Sequence, residues 1–314
     1  MLETCHPCRG GVLPRPHGDK MIWDIIKEIS NMIRIAIQAK GRLNEQSLAI
    51  LSEAGVEVDG SKRKFLTPAG NFPAEVLFLR DDDIPQAVAM GVADLGIVGL
   101  NEVLERGYEL KIEDKLGFGE CRISLAVPKT AAYTGPEWFN GKRIATSYPS
   151  ILSKFLSERG IRAEIHTIAG SVEIAPTVGM SDAIFDIVSS GATLISNGLV
   201  EVEKVVFSEA VLVSSGNLSE DKQQVVDTLK FRFDAVKDSR DKRYLLMNIP
   251  NDKIEEAIRI VPAMRSPTVL PLAQSGWSSL HSVVKKDELW TKIEQLRSIG
   301  AEGILVLEVE KLIR

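Results

Sequence analysis

Hydrophobic and polar positions along this chain fall into two periods that alternate. Residues 33–38 alternate apolar with other side chains and predict a strand. The next apolar period is helical: Asn44 is placed to cap a helix running to Gly55, with Leu48, Leu51 and Ala54 on one face. Strands are predicted again over 75–80, 92–100 and 121–128. Between the first two, Asp83 fits an N-cap and Pro85 a first-turn proline. Residues 141–149, GKRIATSYP, read as a strand, a hydroxyl-rich turn and a helix start, with Ile151, Leu152, Phe155 and Leu156 inward. Residues 183–188 are short and mostly apolar, which suits a strand covered on both faces. Strands that alternate with helices predict an α/β protein with parallel sheets.

Two such units, around 33–100 and 121–197, predict two lobes with a cleft between them, and 205–213 returns the chain to the first lobe. After Gly216 the pattern changes. A helix over 219–238 is followed by strand 243–249, helix 252–260, strands 268–272 and 277–285, helix 287–299 and strand 303–309. The order βαββαβ is ferredoxin-like. The predicted division is a tail (1–31), lobe I (32–120 and 205–218), lobe II (121–204), a linking helix (219–241) and a C-terminal domain (242–314).

Composition narrows the function classes. The 314 residues carry a net charge of −5, so no basic surplus marks a nucleic-acid binder. No apolar run is long enough to span a membrane and no signal-peptide core is present, which makes the cytoplasm the expected location. Three cysteines make no disulfide framework, and Cys5-His6-Pro7-Cys8 lacks the second ligand pair of a zinc site. Prolines at 7, 14 and 16 with glycines at 10, 11 and 18 give 1–31 the look of a tail, and Met21 and Met32 are both possible starts.

Candidate chemistry lies at the strand C-termini, where open α/β sheets bind ligands. Ser189-Ser190-Gly191-Ala192-Thr193 offers three hydroxyls and a run of backbone N–H groups at a predicted helix start, which suits a phosphate. Asp182 and Asp186 precede it and, four apart on a strand, share a face with Ile184. That pairing suits the hydroxyls of a ribose 5-phosphate; an ordinary capped turn with solvated aspartates reads the same residues without a ligand. Lys40-Gly41-Arg42, Arg80, Asn101 and Thr146-Ser147-Tyr148 lie at the other strand-to-helix turns. Asp81-Asp82-Asp83 is read as a dipole-favouring helix start rather than a metal site.

Glu173, Gly179, Ser181, Ile184, Asp186, Ile187, Ser190, Gly191, Thr193 and Leu194 fit the pattern E-x5-G-x-[SAG]-x2-[IV]-x-D-[LIV]-x2-[ST]-G-x-T-[LM] at every defined position. With KGRL (40–43), LRDDDIP (79–85), DLGIVG (94–99) and GKRIATSYP (141–149), the chain from Met32 to Arg314 resembles the long form of the ATP phosphoribosyltransferases. The resemblance implies two lobes like those of periplasmic binding proteins and a ferredoxin-like, ACT-like regulatory domain. It implies attack of N1 of ATP on C1 of phosphoribosyl pyrophosphate, with Mg²⁺ present, as the first step of histidine biosynthesis. It carries Asp182 and Asp186 onto the ribose hydroxyls and Ser189–Thr193 onto the 5-phosphate. Lys40, Gly41, Arg42, Arg80 and Asn101 fall to ATP or pyrophosphate, with Thr146 and Tyr148 facing them. Glu173 either stabilises the cationic ribose or caps its own helix. Mg²⁺ is expected to ride on pyrophosphate with few protein ligands. Inhibitory histidine is expected between subunits at Asn248, Ser266, Thr268, Val283 and Gly303, in a homo-oligomer that is a dimer, or a hexamer when inhibited. Two alternatives stay open at this point: a two-lobed binding protein without chemistry, and a phosphoribosyltransferase for another base.

Overall fold

The computed structural model describes residues 32–59 and 65–314; the predicted tail lies outside them. In chain order, β1 (Ile33–Gln38), α1 (Arg42–Glu53), β2 (Leu66–Pro68), β3 (Ala74–Leu79), α2 (Ile84–Ala89), β4 (Leu95–Gly99), α3 (Leu100–Arg106) and β5 (Lys111–Lys115) build most of lobe I. Lobe II follows with β6 (Cys121–Pro128), β7 (Arg143–Thr146), α4 (Pro149–Glu158), β8 (Glu164–Thr167), β9 (Ala183–Val188), α5 (Ala192–Ser196) and β10 (Leu199–Ser208). β11 (Ala210–Ser214) returns to lobe I and α6 (Glu220–Arg240) follows it.

The lobe I sheet runs β2-β3-β1-β4-β11-β5, with β1, β3 and β4 parallel. Alternation along β1 explains its two covered faces. Ile33, Ile35 and Ile37 pack in one core with Ile50 and Leu51 of α1, while Ala36 joins Ile84 and Val88 of α2 in the other. The lobe II sheet runs β10-β6-β9-β7-β8, and Ile151, Leu152, Phe155 and Leu156 are buried in its core as their spacing predicted. The chain crosses between lobes twice, and the crossings lie side by side because Cys121 pairs with Ser208.

Three expectations are corrected by packing. The return to lobe I comes at Glu209, not residue 205, because β10 stays paired with β6 through Ser208. Gly41, at φ 91°, takes the N-cap position of α1, and Asn44 sits inside the helix donating to the Gln38 carbonyl at 2.6 Å. The helix over 219–241 does more than link. Val226, Leu229, Phe233 and Val236 of α6 are buried in the lobe I core, and Lys222, Lys230 and Lys237 pair with Asp94, Glu113 and Asp114.

The C-terminal domain comprises β12 (Lys242–Pro250), α7 (Ile254–Ile260), β13 (Thr268–Pro271), β14 (Trp277–Lys285), α8 (Leu289–Ser298) and β15 (Glu302–Glu308). Its antiparallel sheet runs β13-β14-β12-β15, the ferredoxin-like order. Leu245, Met247 and Ile249 of β12 face a core with α7 and α8, while Tyr244, Leu246 and Asn248 alternate onto the other face. The last residues fold back on α6: Leu312 N donates to the Ala235 carbonyl, and Arg314 pairs with Asp238 at 2.8 Å.

Candidate active site

Four strand-to-helix turns meet where the lobes face each other. β9 ends at Val188, and Gly191, at φ 81°, turns the chain into α5. The positive φ is the local reason for glycine there. Ser189, Ser190, Ala192 and Thr193 are left exposed on the turn. Asp186 lies one strand turn earlier and is half-buried, with its Oδ1 accepting from Ile187 N at 2.8 Å. Burial pushes its carboxyl up to about 6, a rise opposed by that hydrogen bond and assisted by the charge of Glu173. Glu173 itself sits in a short 3-10 turn, Val172–Ile174, without a side-chain capping bond.

From lobe I, β4 leads into α3. A side chain at Gly99 would collide with the Asn101 amide, which folds back over the strand end. Asn101, Glu102 and Tyr148 are each less than a tenth exposed. Glu102 Oε1 accepts from Asn101 Nδ2 and from Tyr148 Oη, each at 3.0 Å. Asn101 also exchanges hydrogen bonds with Ser208, at the crossing between lobes. Burial raises both the Glu102 carboxyl and the Tyr148 phenol above their ordinary values, and Glu102 adds to the rise at Tyr148. One helix turn on, Glu105 of lobe I accepts from Ser150 N and Ile151 N at 2.9 and 3.0 Å, capping the first turn of α4 in lobe II.

Two cavities flank this knot. One, of about 310 Å³, is lined by Gly41, Arg42, Asn101, Glu102, Ile187 and Ser189, among others. The other, of about 600 Å³, is lined by Arg80, Glu102, Arg106 and Tyr148, among others. Lys40 and Arg42 are exposed and lack an ion-pair partner among the described residues. Arg80 shares Asp82 with Arg106. The arrangement joins exposed hydroxyls of the Ser189–Thr193 turn and the Arg42 cation around one inter-lobe cavity, with half-buried Asp186 on the strand just before the turn. That set can hold a phosphorylated sugar and steady charge on a leaving anion.

Family comparison decides among the readings. The profile of the family described as "HisG: ATP phosphoribosyltransferase" matches residues 80–235, and "HisG, C-terminal domain" matches 239–311. A Bacteroides fragilis ATP phosphoribosyltransferase is 57% identical over 282 residues, covering 90% of this chain and 100% of that one. The chain belongs to the ATP phosphoribosyltransferase family. An ATP phosphoribosyltransferase of Cytophaga hutchinsonii is 51% identical over 286 residues, 91% of this chain and 100% of that one. Among solved structures, the ATP phosphoribosyl transferase (HisG:HisZ) complex from Thermotoga maritima has a similar fold. It is 28% identical, covers 64% of this chain and 96% of its own, and superposes with a TM-score of 0.57.

Two site expectations taken from the ATP phosphoribosyltransferase pattern fail on geometry. Asp182 is not beside the Ser189–Thr193 turn. It precedes β9 and accepts from Arg143 N at 2.9 Å and from the Arg143 guanidinium, which holds its carboxyl below the usual range. Four strand rises place it roughly 13 Å along the chain from Asp186, and Ile184 between them is buried. One ribose diol cannot reach both carboxylates. Thr146 is fully buried, and its Oγ1 accepts from Tyr148 N at 2.8 Å, so it shapes the turn instead of facing the cleft.

The residues that pattern reasoning passed over are Glu102 and Glu105. Both lie on α3 just after DLGIVG, where the strand-end argument that selected Asn101 already applied. Besides Asn101, their partners Tyr148, Ser150 and Ile151 come from lobe II, which no local pattern names.

The five C-terminal positions are only partly brought together. Asn248, Thr268, Val283 and Gly303 lie on the helix-free side of the sheet, and a Cβ on Gly303 would stand 3.1 Å from Asn248 Nδ2. Ser266 lies on the loop before β13. Between them Tyr244 Oη and Ser279 Oγ bond the two ring nitrogens of His281 at 2.8 and 3.0 Å.

Proposed function

We propose that this chain transfers the phosphoribosyl group of phosphoribosyl pyrophosphate to N1 of ATP, the first step of histidine biosynthesis. The observation that carries the reading is family identity along the whole length of its relatives, with Ser189 of the exposed Ser189–Thr193 turn lining an inter-lobe cavity and Asp186 half-buried on the strand just before it. N1 already has a lone pair, so no base is needed to create the nucleophile. The barrier lies in the leaving charge and the cationic ribose, where positioning and electrostatics dominate. In this reading Asp186 accepts the ribose hydroxyls, and Glu173, whose charge is felt at Asp186, faces the sugar cation. Ser189, Ser190, Thr193 and the N–H groups after Gly191 hold the 5-phosphate. Lys40, Arg42 and Arg80 are the cations available to the nucleotide and to pyrophosphate.

Mg²⁺ in this reading would be held chiefly by substrate phosphate oxygens, where it would supply charge neutralisation for the leaving pyrophosphate. Asp82 is spent on Arg80 and Arg106, and among the described residues no three metal-ligand side chains converge. A hard ion carried by substrate oxygens and water fits such a cleft. Among the described residues no helix is long and apolar enough to cross a membrane, in keeping with a cytoplasmic enzyme.

The histidine site belongs to the same proposal. Asn248, Thr268 and Val283 lie on the helix-free side of the sheet beside Gly303, a face that suits an effector held between subunits of a homo-oligomer. Incubation with ATP, phosphoribosyl pyrophosphate and Mg²⁺ tests the function, with adenine absorbance reporting the N1 adduct. Absence of the adduct under saturating substrates would overturn it.

A further inference from the structure

We propose that Glu102 recognises the amino-pyrimidine edge of the adenine, accepting a hydrogen bond from its exocyclic N6 amino group while N1 attacks the ribose. This rests on the transferase reading above. One carboxylate oxygen of Glu102 is an unmatched acceptor. Glu102 is 7% exposed, and only its Oε1 is bonded, to Asn101 and Tyr148; Oε2 has no hydrogen-bond partner among the described residues. The residue lines both cavities of the cleft, and one of these also carries Ile187 and Ser189 of the phosphoribosyl side. A second acceptor stands in that cavity: Gln46 Oε1 is buried with no partner. Gln46 Oε1 is buried without a partner and Glu102 Oε2 is open to the cavity, and a ligand that brings N–H donors would satisfy both.

Adenine brings such a donor next to the reacting atom. As the N1 lone pair bonds to C1 of the ribose, the C1–O bond to pyrophosphate breaks and its electron pair leaves with pyrophosphate. The positive charge gained by the base is shared between N1 and N6, and the N6–H groups become stronger donors. A fixed carboxylate oxygen facing N6 therefore binds the transition state better than the ground state. Other carboxylates in the cleft are less suited. Asp81 Oδ1 already accepts from Asp82 N, Glu120 is exposed, and Asp186 lies on the sugar side. Asn101 and Tyr148 act through Glu102 by fixing which oxygen stays free. The same site selects against bases that carry a carbonyl at that position, since two acceptors would then face each other unpaired.

The test compares ATP with N6,N6-dimethyl-ATP, which keeps the N1 lone pair and has no N6–H. Glu102→Gln has the shape of the native side chain, so any steric penalty on the methyl groups is common to both enzymes. In the variant, Asn101 and Tyr148 claim the single amide oxygen, and an NH₂ group faces the base. The intact enzyme should prefer ATP by roughly ten- to a hundred-fold in kcat/KM, the size of a charged hydrogen bond. In Glu102→Gln the preference should collapse, mainly through a lower kcat for ATP, with KM for phosphoribosyl pyrophosphate unchanged. An equal preference in enzyme and folded variant overturns the assignment. If the variant does not fold, equal turnover of the two nucleotides by the intact enzyme overturns it alone. Failure of the intact enzyme to form any adduct from ATP instead removes the transferase reading itself.

Discussion

Asp186 and Asp182 look alike on the page and have opposite electrostatics. Asp186 is held where burial disfavours its charge: its folded value is about 6 against an ordinary 3.8. A carboxyl raised on folding stabilises the fold while it is protonated. Stability from this group is therefore full below about pH 4 and is lost as pH rises to about 6, by about 1–3 kcal/mol. Asp186→Asn should then raise the melting temperature of the ligand-free protein at pH 7 while lowering kcat/KM roughly ten- to a hundred-fold. Thermal melts and initial rates on one preparation check both signs. A parallel titration should show kcat/KM for phosphoribosyl pyrophosphate falling as pH drops through about 6, because a protonated Asp186 loses an acceptor. Asp182 runs the other way. Its value is held down by Arg143, so its stabilisation is present above its unfolded value and is lost in acid. Asp182→Asn should cost about 1 kcal/mol, discounted because the pair is partly exposed, with kcat/KM little changed.

At the scale of elements, the cleft depends on α3 and α4 meeting end to end. Tyr148 occupies the N-cap position of α4 but supplies no capping bond from its side chain. Glu105 supplies it from the other lobe, to Ser150 N and Ile151 N. An anionic cap on the free N–H groups satisfies donors and complements the helix dipole. Glu105→Ala should cost about 1 kcal/mol and remove hydrogen-exchange protection from the Ser150 and Ile151 amides. Retained protection at both amides would show that α4 is capped by other means. The same tie sets how closely the lobes approach, because Tyr148 and Glu102 bond one turn away.

For the whole molecule, α6 is the piece that belongs to two domains. Its apolar stripe completes the lobe I core, and its C-terminal end enters β12 and receives the chain's last residues. A cut after Phe233 would therefore strip Val236 and the Lys237–Asp114 pair from lobe I. Removing the chain after Asp241 spares both and tests regulation more cleanly. That shortened enzyme should keep the cleft and lose histidine inhibition. In the intact enzyme, Ser266→Ala and Thr268→Ala should weaken inhibition roughly 5- to 150-fold at most, the range of ordinary coupling energies, with less effect on turnover without histidine. A histidine titration at fixed substrate checks this. Inhibition of both point variants like the parent would remove these residues from the effector site.

Periodicity determined most of the elements, because the burial of one helix face or one strand face is written locally. Residues 33–38, 121–128, 183–188 and 277–285 are strands with the predicted bounds, and the βαββαβ order was legible in full. The short strands β5, charged along its length, and β8 were not legible, because edge strands bury too little to leave a pattern. The strand-to-helix turn at Gly191 was legible too, since its glycine, hydroxyls and helix start lie within five residues. Its neighbour Asp182 was misplaced because a shared strand face says nothing about which end of the strand a ligand occupies. Glu102 and Glu105 were decided only by tertiary structure. Besides neighbouring Asn101, their donors Tyr148, Ser150 and Ile151 stand more than forty residues away in the other lobe, and only lobe-to-lobe packing brings these to the carboxylates.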